Sequence, residues 1–256
     1  MTEHDNMHHK RVRAHYDALA DHGPYATLAP QDHGGRKSRY VSTVFDLAIL
    51  PYLRRERFTR LLDFGSGTGV FAVQAKNYGD EVVGVDVSPA MLLSAQRLAD
   101  ERKQVITFAQ TDGTHLPFTD NTFDCFVARE SICYVPDRSM PAVLDEIHRV
   151  LRAGSRLYLL EQVSENPAWQ HHPGAPNLQK RSIDAILAMF QRAGFVLDHA
   201  KVVRQPRFPW IYLIWMGLVP VGTISFLARL EIAWNKHFCM LRTRRWQNAL
   251  FVFRKP

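Results

Sequence analysis

The sequence predicts an α/β fold in which a mostly parallel sheet of seven strands carries helices on both faces. In residues 61–91 an apolar strand, a glycine-rich turn, a helix and a second apolar strand follow one another. Five further strand-like segments follow, and most of them alternate with helical segments. Such alternation is typical of a parallel sheet that is buried on both faces.

Each element has its own signal in the sequence. Ser88 can cap a helix that begins at Pro89 and extends to about residue 101. Further helices are expected over 139–151, closed by Gly154, and over 181–193, closed by Gly194. The first two strands should end at Asp63 and Asp86, and the others should lie over 104–109, 123–128, 155–160, 195–203 and 246–253.

The turn after the first strand contains glycine at alternate positions, namely Gly65, Gly67 and Gly69. Glycine tolerates positive φ and lets the backbone approach a ligand closely. Asp86 follows about 20 residues after the turn, where an acid can accept hydrogen bonds from ribose hydroxyls. Val70 stands where the dinucleotide fingerprint requires its third glycine. Asp63 precedes the turn and fits a cationic or amine-bearing ligand better than a pyrophosphate, so the pattern favours a nucleotide other than a dinucleotide.

Four motifs, in order and spacing, resemble those of the class I S-adenosylmethionine-dependent methyltransferases. DFGSGTGV at 63–70 and VVGVDVSPAML at 82–92 look like the first two cofactor motifs of that family. Residues 123–137 resemble its fourth strand, except that Tyr134 stands where histidine is common, and RVLRAGSRL at 149–157 resembles the segment before its fifth strand. The resemblance extends over about 60–205 and the final strand, and it implies that the last strand is antiparallel.

The resemblance also implies how the cofactor S-adenosylmethionine is held. Asp86 should bind the ribose hydroxyls, and Asp112 with Gly113 should bind the adenine amine. Asp63 should order the turn and the methionine amine, directly or through water, or else simply cap the strand end. The full set of candidate cofactor-binding residues is Asp63, Gly65, Ser66, Gly67, Gly69, Asp86, Val87, Met91, Asp112, Gly113 and Arg129.

The resemblance further implies that the transferred methyl emerges near the end of the fourth strand, beside Glu130 and Tyr134. A carboxylate there can accept a proton from an oxygen or nitrogen nucleophile, or stabilise a cation if carbon attacks. The alternative is that Glu130 is an ordinary solvated or ion-paired acid. His15, on a segment that resembles a helix folded over the cofactor, is the third catalytic candidate. Tyr16, Tyr25, His171 and His172 are the candidate substrate contacts.

Length and composition set further bounds. The 256 residues fit one large domain, which we divide into an N-terminal helical lid (1–59), a cofactor-binding core (60–205), a hydrophobic basic insertion (206–245) and the final core strand (246–256). Three separated cysteines argue against a zinc site or a disulfide framework, and no metal is expected. The N-terminal histidines are interpreted as a frayed polar tail. The first residues lack an apolar signal core, which predicts a cytoplasmic protein.

The run from 208 to 228 contains 21 residues without a charge, which is long enough to span a bilayer. A single crossing would separate the last strand from its sheet, and Pro209, Gly217, Pro220 and Gly222 interrupt the run. Three interpretations remain: a cap over an apolar pocket or a partner subunit, a hairpin resting in one leaflet, and extra core. Flanking cations and tryptophans favour contact with an anionic membrane through 204–245.

The expected activity is methyl transfer to an oxygen, nitrogen or carbon atom of a small acceptor that is hydrophobic or lipid-linked. One alternative is a catalytically silent scaffold or sensor that binds the cofactor. A nucleic-acid methyltransferase is less favoured, because residues 128–131 read ARES where an NPPY-like tetrapeptide would stand. The expected partners are therefore the acceptor, the inner face of the membrane as a peripheral contact, and a second copy in a homodimer, with no nucleic acid.

Overall fold

The computed structural model describes residues 3–25, 35–166, 178–205, 210–238 and 246–256. Its centre is a seven-stranded sheet. The strands are β1 (Phe58–Phe64), β2 (Gly79–Asp86), β3 (Thr107–Gln110), β4 (Phe123–Arg129), β5 (Leu151–Val163), β6 (Val196–Arg204) and β7 (Gln247–Arg254). The α-helices are α1 (Glu3–Leu19), α2 (Arg36–Glu56), α3 (Val70–Ala75), α4 (Pro89–Glu101), α5 (Met140–Val150), α6 (Ile183–Arg192), α7 (Ile211–Trp215) and α8 (Ile224–Phe238). Single 3₁₀ turns occupy Lys76–Tyr78, Ile132–Tyr134 and Val221–Thr223.

The strands lie in the order β3-β2-β1-β4-β5-β7-β6. Strands β1 to β5 pair in parallel, and β7 is antiparallel to both of its neighbours, β5 and β6. The predicted α/β fold and the antiparallel last strand are therefore confirmed. The strand order reverses between β1 and β4, and ligands of open parallel sheets bind at the carboxyl ends of the strands beside such a reversal.

Two apolar layers cover the sheet because residues along each strand alternate between its faces. On one face, α2, α3, α4, α7 and α8 pack on strand residues such as Leu61 and Val127. On the other face, α5 and α6 pack on residues such as Leu62 and Phe126. Helices α2, α7 and α8 contribute residues to one apolar core. This shared core does not test where the chain divides, so the predicted boundaries at 59, 205 and 245 stay predictions.

The described part of the charge-free run, 210–228, contains the short helix α7, a 3₁₀ turn and the first part of α8. Gly217, with φ +77°, follows α7, and Pro220 precedes the 3₁₀ turn that contains Gly222, so these three predicted interruptions are present. Pro209 lies outside the described residues. One side of the two helices is core, with Ile211, Ile214 and Ile224 buried. Within the described residues, no helix combines the length and apolar character needed to cross a membrane.

Two local expectations are wrong. The N-terminal histidines belong to α1 rather than to a frayed tail, because packing against α4 stabilises a helix whose own composition is polar. Gly154 does not close a helix, since α5 ends at Val150 and β5 begins at once. With φ +80°, Gly154 instead lies in β5 at an irregularity where its pairing with β4 shifts register.

Ile214 should anchor α7 to α2. Its side chain is completely buried, whereas the neighbouring Leu213 is 44% exposed. Ile214→Ala should therefore lower the free energy of unfolding by about 2–5 kcal/mol, and Leu213→Ala, the matched control, should change it by less than about 0.5 kcal/mol. Urea unfolding followed by circular dichroism measures both values. Equal effects of the two substitutions would show that α7 is not held in this orientation.

Candidate functional site

A cavity of about 250 Å³ opens at the carboxyl ends of β1, β2 and β4, below α1 and the first half of α2. Twelve of the residues predicted to form the site line it: Gly65, Ser66, Gly67, Asp86, Val87, Asp112, Arg129, Glu130, Tyr134, His15, Tyr16 and Tyr25. Its position beside the reversal of strand order is where an open α/β sheet binds its ligand.

The glycine turn forms one wall of the cavity, and β2 holds its backbone. The amides of Gly65 and Ser66 donate to the carbonyl oxygen of Val85 at 2.8 and 2.9 Å. Gly65 has φ +73°, and a Cβ at this position would lie 2.3 Å from Cβ of Ser131. Glycine is therefore required here for two reasons, the left-handed backbone and the close approach of the segment after β4.

Asp86 lies in the cavity wall with its carboxylate fixed by backbone amides. Its Oδ2 accepts from the Gly67 amide at 2.8 Å, and its Oδ1 accepts from the Ser88 amide at 2.9 Å. Burial raises the pKa of Asp86, and these amide donors oppose the rise. A carboxylate oxygen can accept more than one hydrogen bond, so both oxygens can also receive hydroxyl donors from a ligand in the cavity.

Asp63 lies below the turn and does not line the cavity. It is 2% exposed, and its Oδ2 has no hydrogen-bond partner in the described structure. Burial raises the pKa of Asp63 to about 7, although the guanidinium of Arg129 acts in the opposite direction. An unpaired buried carboxyl oxygen at this point is suited to a water molecule or a cationic ligand group above it.

Three other predicted cofactor residues also lie outside the cavity lining. An added Cβ on Gly69 would approach Cβ of Ala95 to 2.8 Å, so this glycine lets α3 pack on α4. The amide of Met91 donates to Oγ of Ser88 in the cap of α4. Gly113 packs against the ring of Phe64, where a Cβ would approach to 2.7 Å. These residues shape the elements around the cavity.

Helix α1 lies over the cavity and contacts both of its sides. Nδ1 of His9 is 3.4 Å from Oδ2 of Asp112, and Nε2 of His8 is 2.7 Å from the carbonyl oxygen of Tyr134. Farther along the helix, Oδ1 of Asp17 accepts from Oγ of Ser88 at 2.5 Å. Helix α1 therefore bridges the end of β2 and the segment after β4.

Glu130 has an unusual backbone and a network of side-chain partners. Its φ of +53° is left-handed, which is strained for a residue with a Cβ, and its amide donates to the carbonyl oxygen of Leu160 at 2.8 Å. Its Oε1 accepts from Nδ2 of Asn248 at 2.5 Å, and Gln162 also bonds to the carboxylate. Burial raises the pKa of Glu130, which increases its capacity to take up a proton.

Tyr16 and Tyr134 line the same cavity as Glu130, with ring centroids 5.4 Å apart and the rings edge to face. Burial raises the pKa of both phenols, so both stay protonated at neutral pH. Together with Val135 and Leu178 they give this part of the cavity an apolar surface with two hydroxyl groups.

Arg129 lies in the cavity wall, and its positive charge is already paired with a carboxylate. Its Nη1 lies 2.6 Å from Oδ1 of Asp46 on α2, and its guanidinium lies 4.1 Å from the centre of the Phe71 ring. Asp46 Oδ2 in turn accepts from Nε2 of Gln74 at 2.7 Å. This network joins β4 to α2 and α3 and leaves the cavity without an unpaired cation at this position.

Several lining residues were not predicted from the sequence, including His9, Ser42, Phe45 and Gln162. His9 had a usable signal, since positions 9, 12 and 16 share one face of a helix. His171 and His172 lie outside the described residues. Within the described parts of the chain, no group of three metal-ligating side chains comes together.

Comparison with known proteins agrees with this geometry. Residues 62–159 match a family model described as a methyltransferase domain. The demethylmenaquinone methyltransferase of Thermus thermophilus is 38% identical over 104 residues, which is 40% of this chain and 46% of that protein. The chain thus spans less than half the length of this curated relative.

Two solved structures share the fold over nearly the whole chain. The [4+2]-cyclase SpnF aligns with a TM-score of 0.68 at 21% identity, covering 96% of this chain and 95% of SpnF. The geranyl diphosphate C-methyltransferase of Streptomyces coelicolor A3(2) aligns with a TM-score of 0.67 at 15% identity, covering 97% and 98%. The matched domain holds the glycine turn, Asp86, Asp112 and Glu130. Residues 62–159 are thus similar to a methyltransferase domain, and nearly the whole chain shares the fold of these two structures.

Proposed function

We propose that this protein transfers a methyl group from S-adenosylmethionine to a small acceptor that is hydrophobic or lipid-linked. One observation carries the proposal: a single cavity joins a nucleotide-type wall, built from the glycine turn and Asp86, to an apolar wall that contains Glu130 and Tyr134. A methyltransferase needs this arrangement, because its catalysis depends largely on orienting two ligands in one water-poor site.

The residues present fit the cofactor. The left-handed glycines expose backbone at the cavity wall, Asp86 can accept from ribose hydroxyls, and Asp112 can accept from the adenine amine. The unpaired oxygen of Asp63 is suited to hold the methionine amine through a water molecule. When bound, S-adenosylmethionine supplies an electrophilic methyl carbon attached to a sulfonium.

On the acceptor side, Glu130 is the candidate proton acceptor, and the phenols of Tyr16 and Tyr134 are candidate donors to the acceptor molecule. The apolar lining excludes water from the attacking atom. His15 and Tyr25 line the same cavity from the N-terminal segment and are proposed as further contacts. The name of the Thermus relative, a demethylmenaquinone methyltransferase, supports an apolar ring-bearing acceptor, although the match covers only 40% of this chain.

A binding protein without methyl transfer is the second candidate. The fold alone does not fix the reaction, because SpnF, which aligns over 96% of this chain, is named as a [4+2]-cyclase. The proposed partners are the small acceptor and, for the apolar surface of α7 and α8, either an anionic membrane or a second copy of the chain.

The test is calorimetry with S-adenosylmethionine, followed by an assay for release of S-adenosylhomocysteine with lipid, polyketide and glycan fractions. We expect binding together with release in at least one fraction. Asp86→Ala, the control, should lose both. Binding without release in any fraction would favour the silent binding protein, and absence of binding would contradict the proposal.

Cofactor affinity should increase with pH. The pKa of Asp63 is about 7 in the free protein, and a cationic ligand above the carboxyl would lower it. Binding then releases a proton from Asp63, so the association constant should rise about tenfold between about pH 6 and 8. Calorimetry at several pH values measures the slope. Asp63→Asn should flatten it, and the exposed Asp80→Asn should retain it; an unchanged slope in Asp63→Asn would contradict this assignment.

A further inference from the structure

An apolar surface lies on the outer side of α7 and α8, and we call it the α7–α8 face. In the described residues, nine of the thirteen exposed large hydrophobic side chains belong to it. They are Tyr212, Leu213, Trp215, Met216, Leu218, Val221, Phe226, Leu230 and Trp234. Scattered exposed hydrophobic residues need no explanation, but this concentration within one short segment indicates an interaction site.

The face is fixed to the body of the protein. Tyr40 on α2 donates to the buried carboxylate of Glu231 and accepts from Nε1 of Trp210, the latter at 2.7 Å. Nδ2 of Asn235 donates to the carbonyl oxygen of Val203 on β6 at 2.8 Å. Buried polar contacts on the inner side set the rotation of α8, so Phe226, Leu230 and Trp234 stay outside on one stripe of the helix.

The charges around the face have one sign. Among the described residues of 210–238, Arg229 and Lys236 are exposed, while the acid Glu231 is buried. Arg36 at the start of α2 donates to the carbonyl oxygen of Gly217 at 2.9 Å, and the exposed Arg39 lies one turn later. An apolar patch with exposed cations and no exposed acid in these residues is complementary to lipid chains below phosphate groups.

We propose that the α7–α8 face docks the protein on the surface of an anionic lipid bilayer. Exposed Trp215, Trp234 and Tyr212 are amphipathic rings suited to the headgroup region, and the helices are too short to span it. A symmetric contact with a second copy fits less well, since it would bring Arg229 and Lys236 of both copies together without an exposed acid in 210–238 to pair with them.

The α7–α8 face and the cavity are both in contact with helix α2. Strand β6 ends at the same edge of the sheet as β1, β2 and β4, so α7 follows it on the side where the cavity opens. Helix α2 contributes Ser42 and Phe45 to the cavity and packs against α7 and α8 with other residues. Docking would therefore place the bilayer on the side of the sheet where the cavity opens. The use of this arrangement for a lipid-linked acceptor rests on the proposed function, but docking itself does not.

The test is cosedimentation of the full chain with phosphatidylcholine vesicles, with and without phosphatidylglycerol. We expect binding to the anionic vesicles that weakens with added salt. Trp234→Glu and Phe226→Glu should remove it, while the exposed Val105→Glu, the matched control, should not. Replacing Arg229 and Lys236 with glutamine should weaken binding about 25-fold, because each cation contributes about fivefold. The control double substitution Arg102→Gln with Arg192→Gln removes equal charge elsewhere.

Calorimetry with S-adenosylmethionine on the same proteins separates the two proposals. If the wild-type protein binds the cofactor normally but stays in solution with anionic vesicles, membrane docking is overturned. The proposed methyl transfer is then unaffected. Equal loss in Val105→Glu and Trp234→Glu would also overturn it. A wild-type dimer that Trp234→Glu dissociates, in the absence of vesicle binding, would assign the face to a second copy of the chain.

Discussion

Gly65→Ala should abolish binding of S-adenosylmethionine and lower the free energy of unfolding by several kcal/mol. The left-handed backbone alone penalises alanine by roughly 1–2 kcal/mol. In addition, the new methyl would lie 2.3 Å from Cβ of Ser131. Ser131 cannot easily move, because its Oγ donates to the carbonyl oxygen of Phe64 at 2.8 Å and its amide donates to Glu161 at 3.0 Å. The turn must therefore shift, and its amides leave the cavity wall.

Two further variants distinguish the effect of the left-handed backbone from the effect of the steric clash with Ser131. Gly154 has a similar φ of +80° with nothing within 4 Å of an added Cβ, so Gly154→Ala should lower stability modestly and leave cofactor binding intact. Adding Ser131→Gly to Gly65→Ala should restore part of the affinity, since it removes the colliding side chain. Calorimetry and urea unfolding measure both properties. If Gly65→Ala behaved like Gly154→Ala, the turn would not be held as described.

Much of the fold could be predicted because its signals are local. Glycine spacing marked the turn after β1, and apolar runs marked each strand. The antiparallel last strand depended on the resemblance to a family, since strand order is a property of the whole sheet. The orientation of α7 and α8 could not be predicted, because both sides of a charge-free run such as 211–228 are apolar and only packing on α2 decides which side is buried.

The site was predicted unevenly for a similar reason. Residues next to motif positions, such as Asp86 and Glu130, line the cavity as expected. Ser42 and Phe45 come from α2, far away in sequence, and nothing local marked them. Asp63 shows the opposite error, because it was predicted to bind the cofactor but does not line the cavity. It lies buried beneath the cavity wall, where burial raises its pKa.

Glu130→Gln should lower methyl transfer by about 10²–10⁴-fold while cofactor affinity stays the same. The structure gives two reasons to expect a role in the reaction. A left-handed φ at a residue with a Cβ costs about 1–3 kcal/mol and persists mainly where function requires it. The carboxylate also lies in the same cavity lining as Tyr134, with its pKa raised by burial, which favours uptake of a proton.

Glu130→Gln removes the capacity of the side chain to accept a proton and changes its size and shape very little. Glutamine keeps an oxygen that can accept from Nδ2 of Asn248, so the hydrogen bond between this position and β7 should survive. The wild-type rate should rise with pH until Glu130 is ionised and then level off, because only the carboxylate form accepts a proton, whereas the residual rate of Glu130→Gln should not follow this titration. Initial rates across pH, with S-adenosylhomocysteine as the product measured, provide the comparison.

Glu161→Gln is the informative control for this prediction. Glu161 is buried next to Glu130, outside the cavity lining, and its Oε1 accepts from the amides of Ser131 and Ile132. Its loss should therefore change stability more than the shape of the pH profile. A Glu130→Gln enzyme with full turnover would remove this carboxylate from the reaction. The attacking atom would then need no base, as expected if an electron-rich carbon attacks the methyl and releases its proton to water afterwards.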